Sequence, residues 1–321
     1  MSIWYVEEGR VSNAGSHPER VLRGLLGDEE QVERLHAFTA LPAQFAAINY
    51  AAESLVVPKS VGQTAGDPQV AQIAHLVNQS ASESPIAFLD FGAGKGRLLA
   101  GLAELFVTES DSFVERYDYF AFDSSNDDSE ICKAAIRNVY GDDAKQRYFS
   151  SREEFFTTQD KSSIDIVVMC NTLHEIDPST WLSHFNKESL IFRALKDTGH
   201  VLIVEDQRIP VGEKAHQYGF LVLDTPHLKT LFGVLAADQA NNLFVLHDYR
   251  GDGRLKAHLV SKILLERVTS ETRKKAIQEL CATAKTKIME LRKTESNYRN
   301  GQLHGFWTQQ FANASLYLEV V

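Results

Sequence analysis

Gly92, Gly94 and Gly96 stand at alternate positions in "FLDFGAGKGRLLAGLAE" (88–104), where an apolar run gives way to an amphipathic one. Glycine lets a backbone turn sharply and approach a ligand with no Cβ in the way. A helix that opens after such a turn aims free N–H groups at an anion. Two carboxylates accompany the loop: Asp90 on the run before it, and Asp123 at the end of "YDYFAFDSS" (117–125). Asp90 suits a cationic group, and an acid where Asp123 stands suits the paired hydroxyls of a ribose. Further on, "SIDIVVMCNTLHEIDP" (163–178) supplies His174, which titrates near neutrality, with Glu175 beside it.

Three glycine-loop chemistries compete for the stretch. A P-loop needs G-x-x-x-x-G-K-[ST]; here Leu89 occupies the first glycine position and Gly96 follows Lys95, so the pattern fails. A dinucleotide fingerprint, G-x-G-x-x-G, needs its third glycine where Arg97 stands, which weakens that reading and leaves it open.

The remaining pattern, "LDFGAGKG" (89–96), resembles the first motif of class I S-adenosylmethionine-dependent methyltransferases. "SIDIVVMCN" with its "LHEI" continuation resembles that family's fourth strand, and "LKDTGHVLIVED" (195–206) its following helix end, glycine turn and fifth strand. The likeness covers about residues 86–263 and implies S-adenosyl-L-methionine as cofactor. It implies that Asp90, Gly92, Ala93, Gly94 and Gly96 hold the methionine end, that Asp123 and Ser124 hold the ribose, and that Asn171 and Thr172 line the same site. Ser151 to Glu153 fall where the family contacts the adenine. Methyl transfer is an in-line displacement that needs alignment and often a base. His174 and Glu175 are the catalytic candidates, against the plainer roles of shaping the pocket and capping a helix. Glu205, Asp206, His216, Tyr218 and Asp224 could face the acceptor.

The acceptor is expected to be a small molecule, with RNA, protein, or a non-catalytic S-adenosylmethionine-binding subunit as alternatives. DNA is not expected: "NTLH" replaces the D/N-P-P-Y/F-type motif of amino-methyltransferases on bases, and Cys170, followed by Asn171 at the strand's end, lacks the adjacent proline of a cytosine-C5 nucleophile. Cys170 reads instead as a buried hydrophobe.

The elements that must position these residues follow from periodicity. Residues 1–66 read as a helical arm with a break at Gly27, and Asp67-Pro68 open a further helix. From 86 onward, "IAFLDF", "YDYFAFD", "RYFSS", "SIDIVVMCN" and "GHVLIVED" alternate with helix-like stretches, which implies a mainly parallel sheet covered on both faces. "LFVLHDYRGDGRLKAHLVSKILLERV" (243–268) reads as an antiparallel hairpin around Asp252-Gly253. The periodicity gives an α/β fold with helical extensions at both ends, and the resemblance implies a class I methyltransferase-like three-layer sandwich with a mainly parallel seven-stranded sheet and a terminal antiparallel hairpin. The expected boundaries are 1–66, 67–268 and 269–321.

Composition narrows the partners. Hydrophobic residues make 44% and charged residues 24%, as in ordinary globular proteins. A net charge of −10 opposes passive attraction to nucleic acid, and the lysines of 272–293 are interrupted by Glu279 and Glu290. No apolar run reaches bilayer length and the start carries no leader pattern, so a cytoplasmic protein without membrane partners is expected. Three separated cysteines and scattered histidines give neither a disulfide framework nor a metal site. The aromatic C-terminal stretch, "HGFWTQQFANASLYLEVV", could serve a homo-oligomer or protein partner.

Overall fold

A computed structural model describes residues 4–7, 10–13, 67–80, 85–106, 113–125, 127–141, 146–207, 221–248, 251, 253, 255–295 and 297–320. By its contacts the chain divides into two compact units. One comprises Met1–Val56, Arg208–Leu221 and Lys274–Val321; the other comprises Val57–Gln207 and Val222–Arg273.

In the first unit, β1 (Trp4–Glu7) pairs antiparallel with β2 (Arg10–Asn13). The helical reading of the arm thus fails over these residues. Trp4, Tyr5, Val6 and Val11 are β-branched or aromatic, and strand propensity prevails over helical spacing. Residues 14–66, including the break at Gly27, lie outside the described residues.

The second unit is the α/β sandwich. Helix α1 (Pro68–Ser80) leads into β3 (Ile86–Phe91), whose six residues are all buried, as a central parallel strand requires. Helix α2 (Arg97–Phe106) buries Leu98, Leu99, Leu102 and Phe106, one stripe at helical spacing. Next come α3 (Phe113–Arg116), β4 (Tyr117–Phe122), α4 (Ser129–Tyr140) and the short β5 (Tyr148–Phe149). Helix α5 (Arg152–Thr158) starts on Ser151, whose hydroxyl accepts from Glu154 N at 3.1 Å, so this segment's first duty is an N-cap. Strand β6 (Ile164–Cys170), α6 (Trp181–Phe185), α7 (Leu190–Ala194) and β7 (Leu195–Asp206) follow. Helices α8 (Thr225–Leu231), α9 (Ala236–Ala240) and α10 (Lys262–Leu265) flank the closing strands β8 (Phe244–Asp248) and β9 (Leu255–Ser261).

The seven strands lie in the order β5-β4-β3-β6-β7-β9-β8. Strands β3 to β7 pair in parallel, and β9 and β8 run antiparallel. One face carries Phe88, Tyr119, Ala121, Val168 and Leu202 in a core with residues of α1 to α4. The other carries Phe120 and Phe149 against Phe155 of α5.

One expectation needs adjustment. Residues 195–198 are strand, not helix end, and the pairing shifts from Ile164↔Leu195 to Ile166↔His200. Gly199 lies in this bulge, where a Cβ would come within 3.0 Å of Lys196 O and 3.1 Å of Asp165 O. The hairpin strands end at Asp248 and resume at Leu255; the Asp248 carboxylate accepts from Gly251 N and Gly253 N at 3.0 and 2.9 Å.

Beyond the sandwich, α11 (Ser270–Leu291) and α12 (Tyr298–Val320) carry the C-terminal helices. Ile277, Leu280 and Ala284 of one and Phe306, Ala314 and Tyr317 of the other are buried. Among the described residues no helix is long and apolar enough to cross a membrane.

Candidate active site

Strands β3 and β4 end level, with Asp90 opposite Ala121 and Phe91 opposite Phe122. The chain then turns on positive φ angles: +87° at Gly92, +50° at Gly94 and +75° at Gly96. Gly92 N and Ala93 N donate to Phe122 O at 2.8 and 3.2 Å, so the loop leans on the end of β4. A Cβ at Gly92 would meet Thr172 Cγ2 at 2.6 Å, which places Thr172 of the β6 turn directly against the loop. At Gly96 a Cβ would press on Ala135 and Cys132 of α4 at 3.2 and 3.3 Å. Gly94 differs: nothing lies within 4 Å of its missing Cβ, so backbone faces open space there.

Asp123 ties the loop from the other side. Its Oδ2 accepts from Gly94 N at 2.8 Å and its Oδ1 from Ser125 N at 2.8 Å. A carboxylate offers about four lone-pair positions, so two such bonds leave acceptor capacity for ribose hydroxyls. Tyr148 of β5 steadies this turn, donating to Ser125 O at 3.2 Å. Ser124 is exposed beside it. Asp90 is buried, and its Oδ2 accepts from Tyr119 Oη at 2.7 Å. Burial, joined by the charge of Asp123 and countered by the Tyr119 hydrogen bond, pushes the Asp90 carboxyl up to about 7.

The turn after β6 is locked to β7 by side chains reaching in both directions. Asn171, at φ +52°, accepts through Oδ1 from Asp206 N at 2.9 Å, while its own N–H donates to Val204 O at 2.8 Å. In return, Glu205 Oε1 accepts from Leu173 N at 3.0 Å and His174 N at 3.4 Å, and its Oε2 pairs with His174 Nδ1. His174 and Glu205 are 2% and 1% exposed, so both sit out of bulk water. His174 and Glu175 are neighbours in sequence, but the structure pairs His174 with Glu205, and Glu175 is exposed. A strand ending in "ED" was the available signal, but nothing in it names the partner.

Strand order and glycine loop are compatible with the family comparison. Residues 89–201 match the family model described as a methyltransferase domain. Residues 89–201 thus carry a methyltransferase domain, set in a mostly parallel seven-stranded sheet. No curated protein matches the chain. Similar solved structures include a SAM-dependent methyltransferase from Aquifex aeolicus, at 11% identity over 60% of this chain and 95% of that one, TM-score 0.36. Another is M. capricolum TrmK in complex with S-adenosyl-homocysteine, at 14% identity over 79% and 97%, TM-score 0.36. Likenesses this distant carry no argument about residues or acceptor.

The methyltransferase's remaining expected contacts sort by partner. Lys95 faces Asp128 at 3.9 Å and Arg97 pairs with Asp67 at 3.1 Å. Asp224 caps α8, accepting from Thr225 N, and pairs with Lys256, which accounts for its carboxylate without a substrate. His216 and Tyr218 lie outside the described residues. Among the described residues no cluster of three or more His, Cys, Asp or Glu could hold a metal ion.

Proposed function

We propose that this methyltransferase acts on a small molecule whose acceptor atom must lose a proton, with His174 as the base and Glu205 as its positioning partner. The Glu205–His174 pair carries this reading. When a carboxylate holds Nδ1–H, the neutral imidazole keeps its lone pair on Nε2, the nitrogen that can take a proton. The charge of Glu205 then stabilises the imidazolium that forms.

Bound S-adenosylmethionine supplies an electrophilic methyl group on a sulfonium. Gly92, Ala93, Gly94 and Gly96 fit its methionine end, since the backbone at Gly94 is open to approach. Asp90 would take the ammonium, and Asp123, with Ser124 beside it, the ribose hydroxyls. Thr172, packed on Gly92, and Asn171 would fix the height of the loop over the β6 turn. An acceptor atom that took this methyl group would have a proton to lose, and His174 Nε2 would receive it. Glu175, one residue on, is exposed, whereas His174 is buried beside Glu205.

A small acceptor is favoured over RNA because the cations nearest the loop already face carboxylates, Lys95 facing Asp128 and Arg97 paired with Asp67. The net charge of −10 opposes a polyanion as well. The test is to supply cofactor with a tritiated methyl group to the full chain, together with separate small-molecule, RNA and protein fractions of a cell extract. Label is expected in the small-molecule fraction and absent with His174→Ala. Label in RNA or protein would replace the acceptor reading, and label in none would favour a binding subunit.

A further inference from the structure

We propose that Tyr119 is a positioning residue for cofactor binding: its hydroxyl holds the buried Asp90 carboxylate in the orientation and the charged state that take the cofactor's ammonium group. The inference rests on the reading of Asp90 as the ammonium's partner.

Tyr119 lies on β4, two residues before Ala121, the register partner of Asp90. Strand alternation therefore puts the Tyr119 and Asp90 side chains on one face of the sheet. The Tyr119 ring is fully buried and stacked on Phe88, with centroids 5.5 Å apart. Its backbone is pinned too: Tyr119 N donates to Tyr140 Oη at 3.0 Å, and that hydroxyl donates to Tyr117 O at 2.8 Å. The hydroxyl is thus delivered to Asp90 Oδ2, at 2.7 Å, by a side chain with little freedom to move.

The groups facing Asp90 make this one contact decisive. Asp123, beyond β4, is a like charge and opposes ionisation. The Cys132 thiol of α4 is pushed up to about 12, chiefly by burial, and stays neutral. Cys170 at the end of β6 also feels the Asp90 charge. Against burial and Asp123, the Tyr119 hydroxyl favours the carboxylate. Without that hydrogen bond, a carboxyl 3% exposed would hold its proton at neutral pH and offer the ammonium no charge.

The test is calorimetric titration of the full chain with S-adenosylmethionine and S-adenosylhomocysteine from about pH 5.5 to 8.5. Tyr119→Phe and Asp90→Asn are measured beside the wild type. Phenylalanine keeps the ring stacked on Phe88, and unchanged circular dichroism checks the fold. Wild-type affinity should rise with pH through neutrality. Tyr119→Phe should move that rise to higher pH, bind about tenfold more weakly at neutrality and converge with wild type at the alkaline end. Asp90→Asn should bind weakly at every pH. A Tyr119→Phe protein that binds uniformly more weakly, with its midpoint unmoved, would overturn the proposal and leave Tyr119 a packing residue. Wild-type binding that ignores pH would overturn it while sparing the cofactor site. Wild type that binds neither ligand would overturn the Asp90 reading along with it.

Discussion

At the residue scale, a strained glycine and a buried acid carry opposite expectations. Gly92 adopts φ +87°, a region L side chains avoid, and its missing Cβ would sit 2.6 Å from Thr172. Gly92→Ala should cost about 1–3 kcal/mol of stability and weaken cofactor binding. Gly94→Ala meets no steric neighbour, so its stability loss should be smaller, while its methyl fills the open space and still hinders the ligand. Thermal melts and cofactor titrations of the two variants separate strain from occupancy. Asp90→Asn should do the reverse and stabilise. The folded chain holds the Asp90 proton up to about pH 7 against an ordinary value of 3.8. Proton uptake therefore favours folding below about pH 4, and that contribution fades as pH rises to about 7. The melting temperature of Asp90→Asn relative to wild type should climb across this window and level off above it. A gap independent of pH would contradict the buried-acid account.

At the scale of elements, the joint between β6 and β7 is held by side chains that pair across the sheet. Glu205 gathers two backbone N–H groups and the His174 ring. Glu205→Gln should disturb the imidazole more than the turn. The expected result is a mixed tautomer at His174, read from imidazole nitrogen NMR shifts, with cofactor affinity close to wild type. Turnover, once an acceptor is in hand, should fall about 10- to 100-fold. An unchanged tautomer would reduce Glu205 to a turn clamp. This joint also marks the limit of what sequence revealed. The glycine loop, Asp123 and the strand runs were legible because each is local: turn residues beside an apolar run. The His174–Glu205 and Tyr119–Asp90 pairs were not, because their partners are separated by 31 and 29 residues and meet only when strand register is known. The bulge at Gly199 was missed for the same reason, since "LKDTG" reads equally as a helix end. At residues 4–13, aromatic and β-branched side chains formed strands where helical spacing had been read.

For the whole molecule, charge and architecture point the same way. The second unit supplies a sheet whose strand ends carry the glycine loop after β3 and the His174 turn after β6. A net charge of −10, with Arg97 and Lys95 facing acids, leaves little for a phosphate backbone to bind. Binding of single-stranded RNA should accordingly be weak at physiological salt, and a titration in which affinity falls steeply with added salt would count against a small acceptor. The cofactor itself is the central claim. Its most direct test is isothermal titration of the full chain with S-adenosylmethionine, S-adenosylhomocysteine and NAD, with Asp123→Ala as the control. The account predicts that both adenosyl ligands bind, that NAD does not, and that the substitution abolishes binding. Affinity for NAD with none for the adenosyl ligands would contradict it and return the glycine loop to the dinucleotide reading.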